Sequence, residues 1–267
     1  MILAIDIGNT HTVFGIYNGS KLLGDWRVTS FVTRTEDEAG MLIKQFCDDA
    51  AVTLKKITSI GISSVVPNLT DVLVRMAQKY FKIDPIVISA ELDLGIKVMY
   101  DDPNAVGADR LCNAVAGFVK YKGPVVIVDF GTATTFDVVS KQGEYLGGVI
   151  MAGVETTATE LHRRAARLPK VDLKFPEKVI GTNTVASMQA GILYNALDSM
   201  EMMIRRISKE LDDYPTVIAT GGFSEMMKRQ SKIIDKHEPT LVLDGIRLIV
   251  ERIEKKQKSS FQKKKKK

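Results

Sequence analysis

Two stretches of this chain repeat one another, and the repeat restricts the fold more than any other feature of the sequence. Residues 4–19 read AIDIGNTHTVFGIYNG, and residues 127–140 read IVDFGTATTFDVVS. In each, an apolar run ends at an aspartate and is followed by a glycine turn and a second run of strand-forming residues. This pattern predicts a strand, a tight turn and an antiparallel strand. A chain that builds the same hairpin twice is expected to contain two similar domains.

The rest of the sequence alternates between strand and helix patterns, which predicts an α/β fold with mixed sheets flanked by helices. Predicted strands cover residues 2–7, 12–17, 21–28, 57–63, 86–88, 125–129, 134–139, 145–150 and 217–219. Predicted helices cover residues 36–50, 67–80, the segment that follows Asp102, 184–211 and 245–256. The predicted domains are residues 1–115 and 116–254, followed by a tail at 255–267.

The positive charge of the chain is concentrated in that tail. The formal net charge is +5, but residues 255–267 contain eight lysines and no acidic residue, so residues 1–254 carry −3. This distribution gives no reason to expect a nucleic-acid partner. Like charges repel, and the tail has little apolar surface to bury, so we expect a disordered extension. Weak attraction to an anionic surface is the alternative.

Other sequence features exclude several protein classes. No apolar run approaches the roughly 18 residues of a membrane span, and Asp6 interrupts the apolar start, unlike a signal peptide. We therefore expect a cytoplasmic protein with no membrane partner. Cys47 and Cys112 form no CxxC pair, so buried thiols are expected instead of a disulfide or a zinc site. The three histidines lack metal-ligand spacing, although His11 lies inside the first motif and could contact a ligand.

Both glycine turns have the chemistry to hold the phosphates of a nucleotide. Glycine lets the backbone approach a ligand closely, backbone N–H groups and hydroxyls donate to phosphate oxygens, and the aspartates attract cations. A third motif, VIATGGFS at residues 217–224, offers a strand, a double glycine and a helix against which an adenosine could lie. Two such hairpins facing each other across a cleft would clamp a nucleotide, whereas one hairpin alone fits an ordinary strand reversal equally well. The groups concerned are Asp6, Gly8, Asn9, Thr10, Asp129, Gly131 and Thr132.

In this order the three motifs resemble the phosphate 1, phosphate 2 and adenosine motifs of the actin, sugar kinase and heat-shock chaperone superfamily. Within it, the chain resembles type III pantothenate kinase over nearly its full length. The segments that carry the resemblance are DIGNTHTVFGIY from Asp6, ISSVVP from Ile62, DDPNAVGADR after Tyr100, DFGTATTFD from Asp129, GGVIMAG from Gly147 and GTNTVASMQAGI from Gly181. The most specific is GADR at residues 107–110. No GxxxxGK[ST] P-loop is present.

The resemblance implies two ribonuclease H-like (actin-like ATPase) domains with the active site in the cleft between them. It also implies ATP-dependent phosphorylation of the primary hydroxyl of pantothenate to 4'-phosphopantothenate, the first step of coenzyme A biosynthesis. One alternative is a kinase of the same superfamily that acts on another hydroxyl, such as that of a sugar. A second is a regulatory relative that has lost the reaction.

The resemblance also implies the roles of individual residues. Asp109 matches the catalytic base, Asp6 would hold Mg²⁺ through water, and Asp129 matches the site of a monovalent cation, K⁺ or NH₄⁺. The residues that match ATP and phosphate contacts are Asp6, Ile7, Gly8, Asn9, Thr10, His11, Thr12, Val13, Gly131 and Thr132. The residues that match substrate contacts are Tyr100, Gly107, Ala108, Asp109, Arg110 and Thr184.

Structural alternatives exist for four of the substrate residues. Asp109 could be a first-turn carboxylate of its helix, as Asp102 and Asn104 could be caps. Arg110 could form a surface salt bridge, and Tyr100 could be a packing aromatic. Thr184 could be only the N-cap of the long helix.

The predicted helix 184–211 carries apolar residues at alternating steps of four and three, a heptad-like seam. The seam contains Ala186, Ala190, Leu193, Leu197, Met200, Ile204, Ile207 and Leu211. It fits ordinary core, or it fits half of a subunit interface because so long a helix has more apolar surface than one neighbour usually covers. We expect a homodimer that pairs through this seam, with Thr184 close to a site shared with the second subunit.

Overall fold

The computed structural model of the protein describes residues 1–264, with side chains described for residues 1–259. The chain divides into two compact units. The first contains Met1–Val119 together with the chain from Thr240 onward, and the second contains Lys120–Pro239. The predicted boundaries differ from this division, because the last helix, assigned to the second domain, packs on strands of the first unit.

The first unit is a mixed α/β unit, as predicted. Its strands are β1 (Ile2–Ile7), β2 (His11–Asn18), β3 (Lys21–Thr29), β4 (Ser59–Ser64), β5 (Ile86–Val87) and β6 (Lys97–Val98). Its helices are α1 (Glu36–Asp49), α2 (Pro67–Met76), α3 (Ala108–Tyr121) and α7 (Leu241–Lys264). The sheet order is β3-β2-β1-β4-β5, in which β1 is antiparallel to β2 and parallel to β4.

Local signals in the sequence fix where these helices begin. Thr35 and Glu38 form a reciprocal capping box at the start of α1, and Pro67 occupies the first turn of α2, where its missing N–H costs nothing. The helix predicted to continue to residue 80 instead ends as an α-helix at Met76 and changes to a π-helical turn over Ala77–Phe81.

The centre of the first sheet is buried on both faces. Apolar residues of α1 and α2 share one core cluster with those of β1 and β4. Helix α7 lies on β4 from the other side, and Gly61 makes this possible because a Cβ there would meet Ile246 and Val250 at 2.5 and 2.6 Å. Without α7, one face of the sheet would be left uncovered.

The second unit repeats the opening meander of the first. Its strands are β7 (Val125–Phe130), β8 (Ala133–Val139), β9 (Glu144–Ala152), β10 (Thr216–Gly221) and β11 (Lys236–His237), and they follow the order β11-β10-β7-β8-β9. Its helices are α4 (Val154–Arg164), α5 (Thr184–Leu211) and α6 (Ser224–Gln230). Helix α4 was not predicted from the sequence, because its composition is polar and only Val154 is buried.

The two hairpins are similar but not identical. Ile7 pairs with Thr12 across the first turn, whereas Phe130 pairs with Thr134 across the second. The first turn is therefore one residue longer. In both, the N–H of the glycine donates back across the turn, from Gly8 to the His11 carbonyl and from Gly131 to the Ala133 carbonyl, at 3.0 Å each.

The seam of α5 is core, not a free surface. Its central residues are between 0 and 9% exposed and belong to the cluster that α5 forms with the second sheet. The expectation that this seam pairs two subunits is therefore wrong, because the strands of the chain's own second unit already cover it. These residues are Leu193, Leu197, Met200, Ile204 and Ile207.

The terminal helix is longer than predicted. It continues to Lys264, so the expected disorder from residue 255 is wrong for residues 255–264, and residues 265–267 lie outside the described part of the chain. Hydrogen bonds between α7 and Asp93 contribute to this difference. Lys256 and Arg252 donate to the Asp93 carboxylate at 2.6 and 2.9 Å. These hydrogen bonds lower the pKa of Asp93 to about 2.

Within residues 1–264, no helix has the length and apolarity needed to cross a membrane.

Cys47 and Cys112 are both buried free thiols, as expected. Burial raises the pKa of Cys47 to about 11, so this thiol stays neutral near pH 7.

Truncating the centre of the α5 seam is expected to destabilise the second unit. Leu193 is fully buried, so Leu193→Ala removes apolar contact and leaves a cavity, at a cost of about 2–5 kcal/mol. Urea unfolding followed by circular dichroism measures this loss. Met202→Ala on the same helix is the control, because Met202 is 50% exposed. Equal unfolding midpoints for the two variants would contradict the core assignment.

Candidate functional site

The carboxylate of Asp6 is held by a serine on the neighbouring strand. Asp6 and Ser63 are register partners in the parallel pair β1 and β4, and the Ser63 hydroxyl donates to Asp6 Oδ1 at 2.7 Å. Ser63 is fully buried. It lies in the segment ISSVVP, but no role was predicted for it, because the pairing of distant strands is not visible in a local pattern.

The turn after Asp6 exposes three polar side chains, and Ile7 and Thr12, on either side of them, are buried. Asn9, Thr10 and His11 are exposed, as a phosphate-binding turn requires. Ile7 and Thr12, also predicted to contact ATP, have fully buried side chains. These two residues can therefore meet a ligand only through their backbone in this conformation.

Asp109 lies in the first turn of α3, where its carboxylate faces into a confined space. The N–H of Arg110 donates to Asp109 Oδ1 at 2.8 Å. Burial raises the pKa of Asp109, and this hydrogen bond and the Arg110 charge offset only part of the increase. A Cβ on Gly107 would lie 2.5 Å from the same oxygen, so the glycine of GADR leaves room for the carboxylate.

The thiol of Cys112 lies close to both Asp6 and Asp109. Cys112 lies one helical turn beyond Asp109, is fully buried, and is within hydrogen-bond reach of Ser63. Burial raises its pKa well above the usual value, and the negative charges of Asp6 and Asp109 raise it further. Both carboxylates therefore lie near this neutral thiol, so the structure brings the first motif and GADR together within the first unit.

The other predicted substrate residues of the first unit precede or begin α3. Arg110 is only 8% exposed, which excludes the alternative of a surface salt bridge. Asp102 caps the short helical turn Pro103–Ala105 by accepting from the Asn104 N–H at 3.0 Å. Tyr100, just before it, is exposed.

A cavity of about 260 Å³ opens beside this helix start within the first unit. It is lined by the end of β4, by residues 88–90 and by residues 104–108. No charged side chain among residues 1–259 lines this cavity. Its polar side chains are those of Ser64, Ser89 and Asn104. The lining thus suits a neutral polar group next to the GADR segment.

In the second unit, Asp129 is the last residue but one of β7 and lies beside the third motif. Asp129 pairs with Thr220 in the parallel ladder of β7 and β10. Gly221 has a φ of +87°, and a Cβ there would lie 2.4 Å from Asp129 Oδ1 and 2.7 Å from the Phe130 nitrogen. The double-glycine motif is therefore glycine at this position for two reasons, its left-handed backbone and the space that the carboxylate needs.

Thr184 opens α5 but does not cap it. The side-chain oxygen of Asn183 accepts from the Ala186 N–H at 2.9 Å and fills the N-cap position. The Thr184 side chain is exposed. The structural alternative for Thr184 is therefore excluded, and its predicted contact with substrate stays a prediction.

No group of three or more metal-ligating side chains occurs in the described part of the chain. Asp6 nevertheless has the donor type that Mg²⁺ prefers, since magnesium keeps several waters and binds few carboxylates directly. The carboxylate of Asp129 is likewise an oxygen donor suited to an alkali cation.

Comparison with known proteins agrees with these motifs. A family model described as type III pantothenate kinase matches residues 2–206. A Geobacter sulfurreducens protein of that name is 46% identical over 252 residues, which cover 94% of this chain and 99% of the relative. A protein of the same name from Bacillus cytotoxicus is 43% identical over 252 residues, with 94% and 96% covered.

Solved structures share the fold at low sequence identity. A Campylobacter jejuni protein described as a transcriptional activator of the Baf family matches with a TM-score of 0.60 and 19% identity, covering 95% of this chain and 99% of the other. ROK hexokinase from Thermus thermophilus matches with a TM-score of 0.54 and 13% identity, covering 96% and 99%. The predicted α/β fold, with mixed sheets flanked by helices, is thereby confirmed.

Proposed function

Because this chain belongs to the type III pantothenate kinase family, it phosphorylates pantothenate with ATP in coenzyme A biosynthesis, and we propose here the part that each site residue takes in that reaction. The observation that carries the proposal is the position of Asp109. It stands in the first turn of α3, beside a glycine that makes room for its carboxylate, with a raised pKa.

Asp109 acts as the general base. The primary alcohol of pantothenate is neutral, so its proton must leave as the oxygen bonds to the γ-phosphorus. The bond from that phosphorus to the bridging oxygen breaks, and ADP departs with the electron pair. The Asp109 carboxylate accepts the proton. Its raised pKa makes it a stronger base than an ordinary aspartate.

Asp6 and the two turns bind ATP. The exposed turn residues Asn9, Thr10 and His11 donate to phosphate oxygens, and Thr132 does the same in the second motif, where Gly131 lets the backbone approach the phosphate closely. Asp6, oriented by Ser63, would hold Mg²⁺ through water. The magnesium ion, when bound, neutralises charge on the phosphates.

The anionic end of pantothenate is bound by Arg110. Arginine presents five N–H donors in a planar fork that matches a carboxylate, and a buried arginine pairs more strongly than a solvated one. Tyr100, Gly107, Ala108 and Thr184 complete the substrate contacts that the family motif implies.

A coupled assay that follows ADP release tests this function. Pantothenate should be turned over, and a panel of sugars should not, because a sugar offers no carboxylate for Arg110. Turnover of sugars alone would replace the proposal with a sugar kinase, and no turnover of any alcohol would favour a regulatory relative.

Replacing the base tests its role directly. Asp109→Asn is nearly isosteric and is expected to keep substrate binding while lowering kcat by at least about 10²-fold, the usual contribution of a general base. Asp102→Asn is the control, because asparagine also caps a helical turn and leaves the base intact. Near-normal turnover by the Asp109 variant would show that another group accepts the proton.

The same assay as a function of pH reports on Asp109 in the wild-type chain. The base works only when ionised, so kcat/KM should fall as the pH falls through the Asp109 pKa. Because burial raises that pKa above the ordinary 3.8, the acidic limb should lie above that of an exposed aspartate. An acidic limb below pH 3.8 would contradict this assignment.

Asp129 is proposed to bind a monovalent cation near the phosphates. A large, weakly hydrated ion held by oxygen ligands reduces the charge that opposes attack, and Na⁺ is too small for a site sized for K⁺. Activity should therefore rise with K⁺ or NH₄⁺ and not with Na⁺. Initial rates in the three chlorides at fixed ionic strength measure this. Asp129→Asn should abolish the preference, and equal wild-type rates in all three salts would refute the site.

The chain is proposed to form a homodimer through exposed apolar residues that precede and begin α5. Val179, Ile180 and Val185 are 64, 83 and 42% exposed, and burying such side chains in a partner removes apolar surface from water. This surface adjoins Thr184, so a second subunit would approach that residue.

Sedimentation velocity tests the dimer. The wild-type chain should sediment as a dimer, and Ile180→Asp should shift it towards the monomer because a charge is costly to bury. Tyr214→Asp, at the far end of α5 and 94% exposed, is the control and should leave the dimer intact. A wild-type monomer at every concentration would rule out the dimer, and a dimer that survives Ile180→Asp would rule out this surface.

A further inference from the structure

The carbonyl groups of the first phosphate turn are held by the residue that follows β3. The Ser30 N–H donates to the Thr10 carbonyl at 2.9 Å. The Ser30 hydroxyl donates to the Gly8 carbonyl at 2.7 Å. One residue outside the turn thus ties down two of its carbonyl oxygens.

The direction of these hydrogen bonds can be assigned. A carbonyl oxygen only accepts, so the single hydroxyl proton of Ser30 points to Gly8. Thr12 Oγ1 lies 2.8 Å from Ser30 Oγ and must therefore be the donor of that pair. Because Thr12 is fully buried, the chain of hydroxyls is anchored inside the first unit.

The second phosphate turn is held from the same topological position. Two residues that follow β9, Gly153 and Thr156, take the place of Ser30, and both donate to the Thr132 carbonyl. The Gly153 N–H does so at 3.1 Å and the Thr156 hydroxyl at 2.6 Å. A Cβ on Gly153 would lie 2.3 Å from the Gly131 oxygen, which explains the last glycine of the GGVIMAG segment.

These hydrogen bonds determine which backbone groups of the two turns face a ligand. N–H and C=O point in opposite directions in a planar trans peptide, so drawing the Gly8 carbonyl towards Ser30 directs the Asn9 N–H the other way. A carbonyl oxygen turned towards a phosphate would repel it, whereas N–H groups attract it. The donors outside the turns therefore favour an anion over a cation.

We propose that Ser30 and Thr156 are equivalent positioning residues, whose hydroxyls hold the carbonyl groups of the two phosphate turns away from the bound nucleotide. This inference rests on the proposed binding of ATP at these turns. Both hairpins would then need a hydroxyl from outside the turn to hold a turn carbonyl. The duplicated sequence does not display this need, since the two residues differ in type and in distance from their turns.

Removing each hydroxyl should weaken nucleotide binding. Ser30→Ala and Thr156→Val each delete one hydrogen bond and should raise the Kd for MgADP, measured by calorimetry, and the KM for ATP by about threefold to tenfold. The KM for pantothenate should not change. Ser30→Thr and Thr156→Ser keep a hydroxyl and should bind MgADP within about twofold of the wild-type chain.

Two substitutions serve as matched controls. Ser140→Ala removes a hydroxyl that accepts turn N–H groups between β8 and β9, and Thr157→Val removes a hydroxyl that donates to the Gly153 carbonyl at 2.9 Å. Both lose a hydrogen bond without releasing a phosphate-turn carbonyl, so their affinity for MgADP should match that of the wild-type chain. Thermal unfolding of every variant separates loss of stability from loss of affinity.

The outcomes are distinct. The inference is overturned if Ser30→Ala and Thr156→Val bind MgADP as tightly as the controls, or if Thr156→Ser is as weak as Thr156→Val. A wild-type chain that binds no MgADP and phosphorylates no pantothenate would overturn the proposed function as well. Ser30 and Thr156 lie in separate units. If the variant of one residue fails to fold, the variant of the other still tests the inference.

Discussion

The structure depends on two buried strands that each carry a carboxylate at the last residue but one. A charge at the end of a buried strand is costly unless hydrogen bonds or space for solvent and ligand compensate for it. The first unit supplies a hydroxyl from Ser63 to Asp6, and the second supplies the space left by Gly221 around Asp129. The carboxylate held there attracts cations, and the N–H groups of the turn beside it attract phosphates, so the same arrangement serves folding and ligand binding.

Much of the fold could be predicted because its signals are local. The duplicated hairpins, the proline at the start of α2 and the apolar periodicity of α5 identified the main elements, and GADR identified Asp109. Whether the α5 seam faces a partner or the chain's own sheet could not be predicted, since periodicity shows that a face is apolar and not what covers it. The assignment of α7 to the first unit was missed for a similar reason, because its contacts join residues far apart in sequence.

The candidate site was predicted residue by residue only where a motif carried it. Ser30, Ser63 and Thr156 were missed because serine and threonine are common in loops and strands, and their roles arise from register and chain reversal. Burial of Ile7 and Thr12 was also not visible in the motif, although strand alternation from Asp6 would have placed one of them inside. The ordinary preference for asparagine at an N-cap also explains the start of α5, but the cap is Asn183, whereas Thr184 had been considered as the cap.

Helix α7 has a consequence for the order in which the chain folds during synthesis. The first unit is discontinuous, and the strands β1 and β4 receive the cover of α7 only after the whole second unit has been translated. On the ribosome the second unit, a continuous segment, has all of its residues available before the first unit does. The amino-terminal sheet must therefore wait with one apolar face uncovered, and this is the stage at which a nascent chain is most exposed to aggregation or to capture by a chaperone.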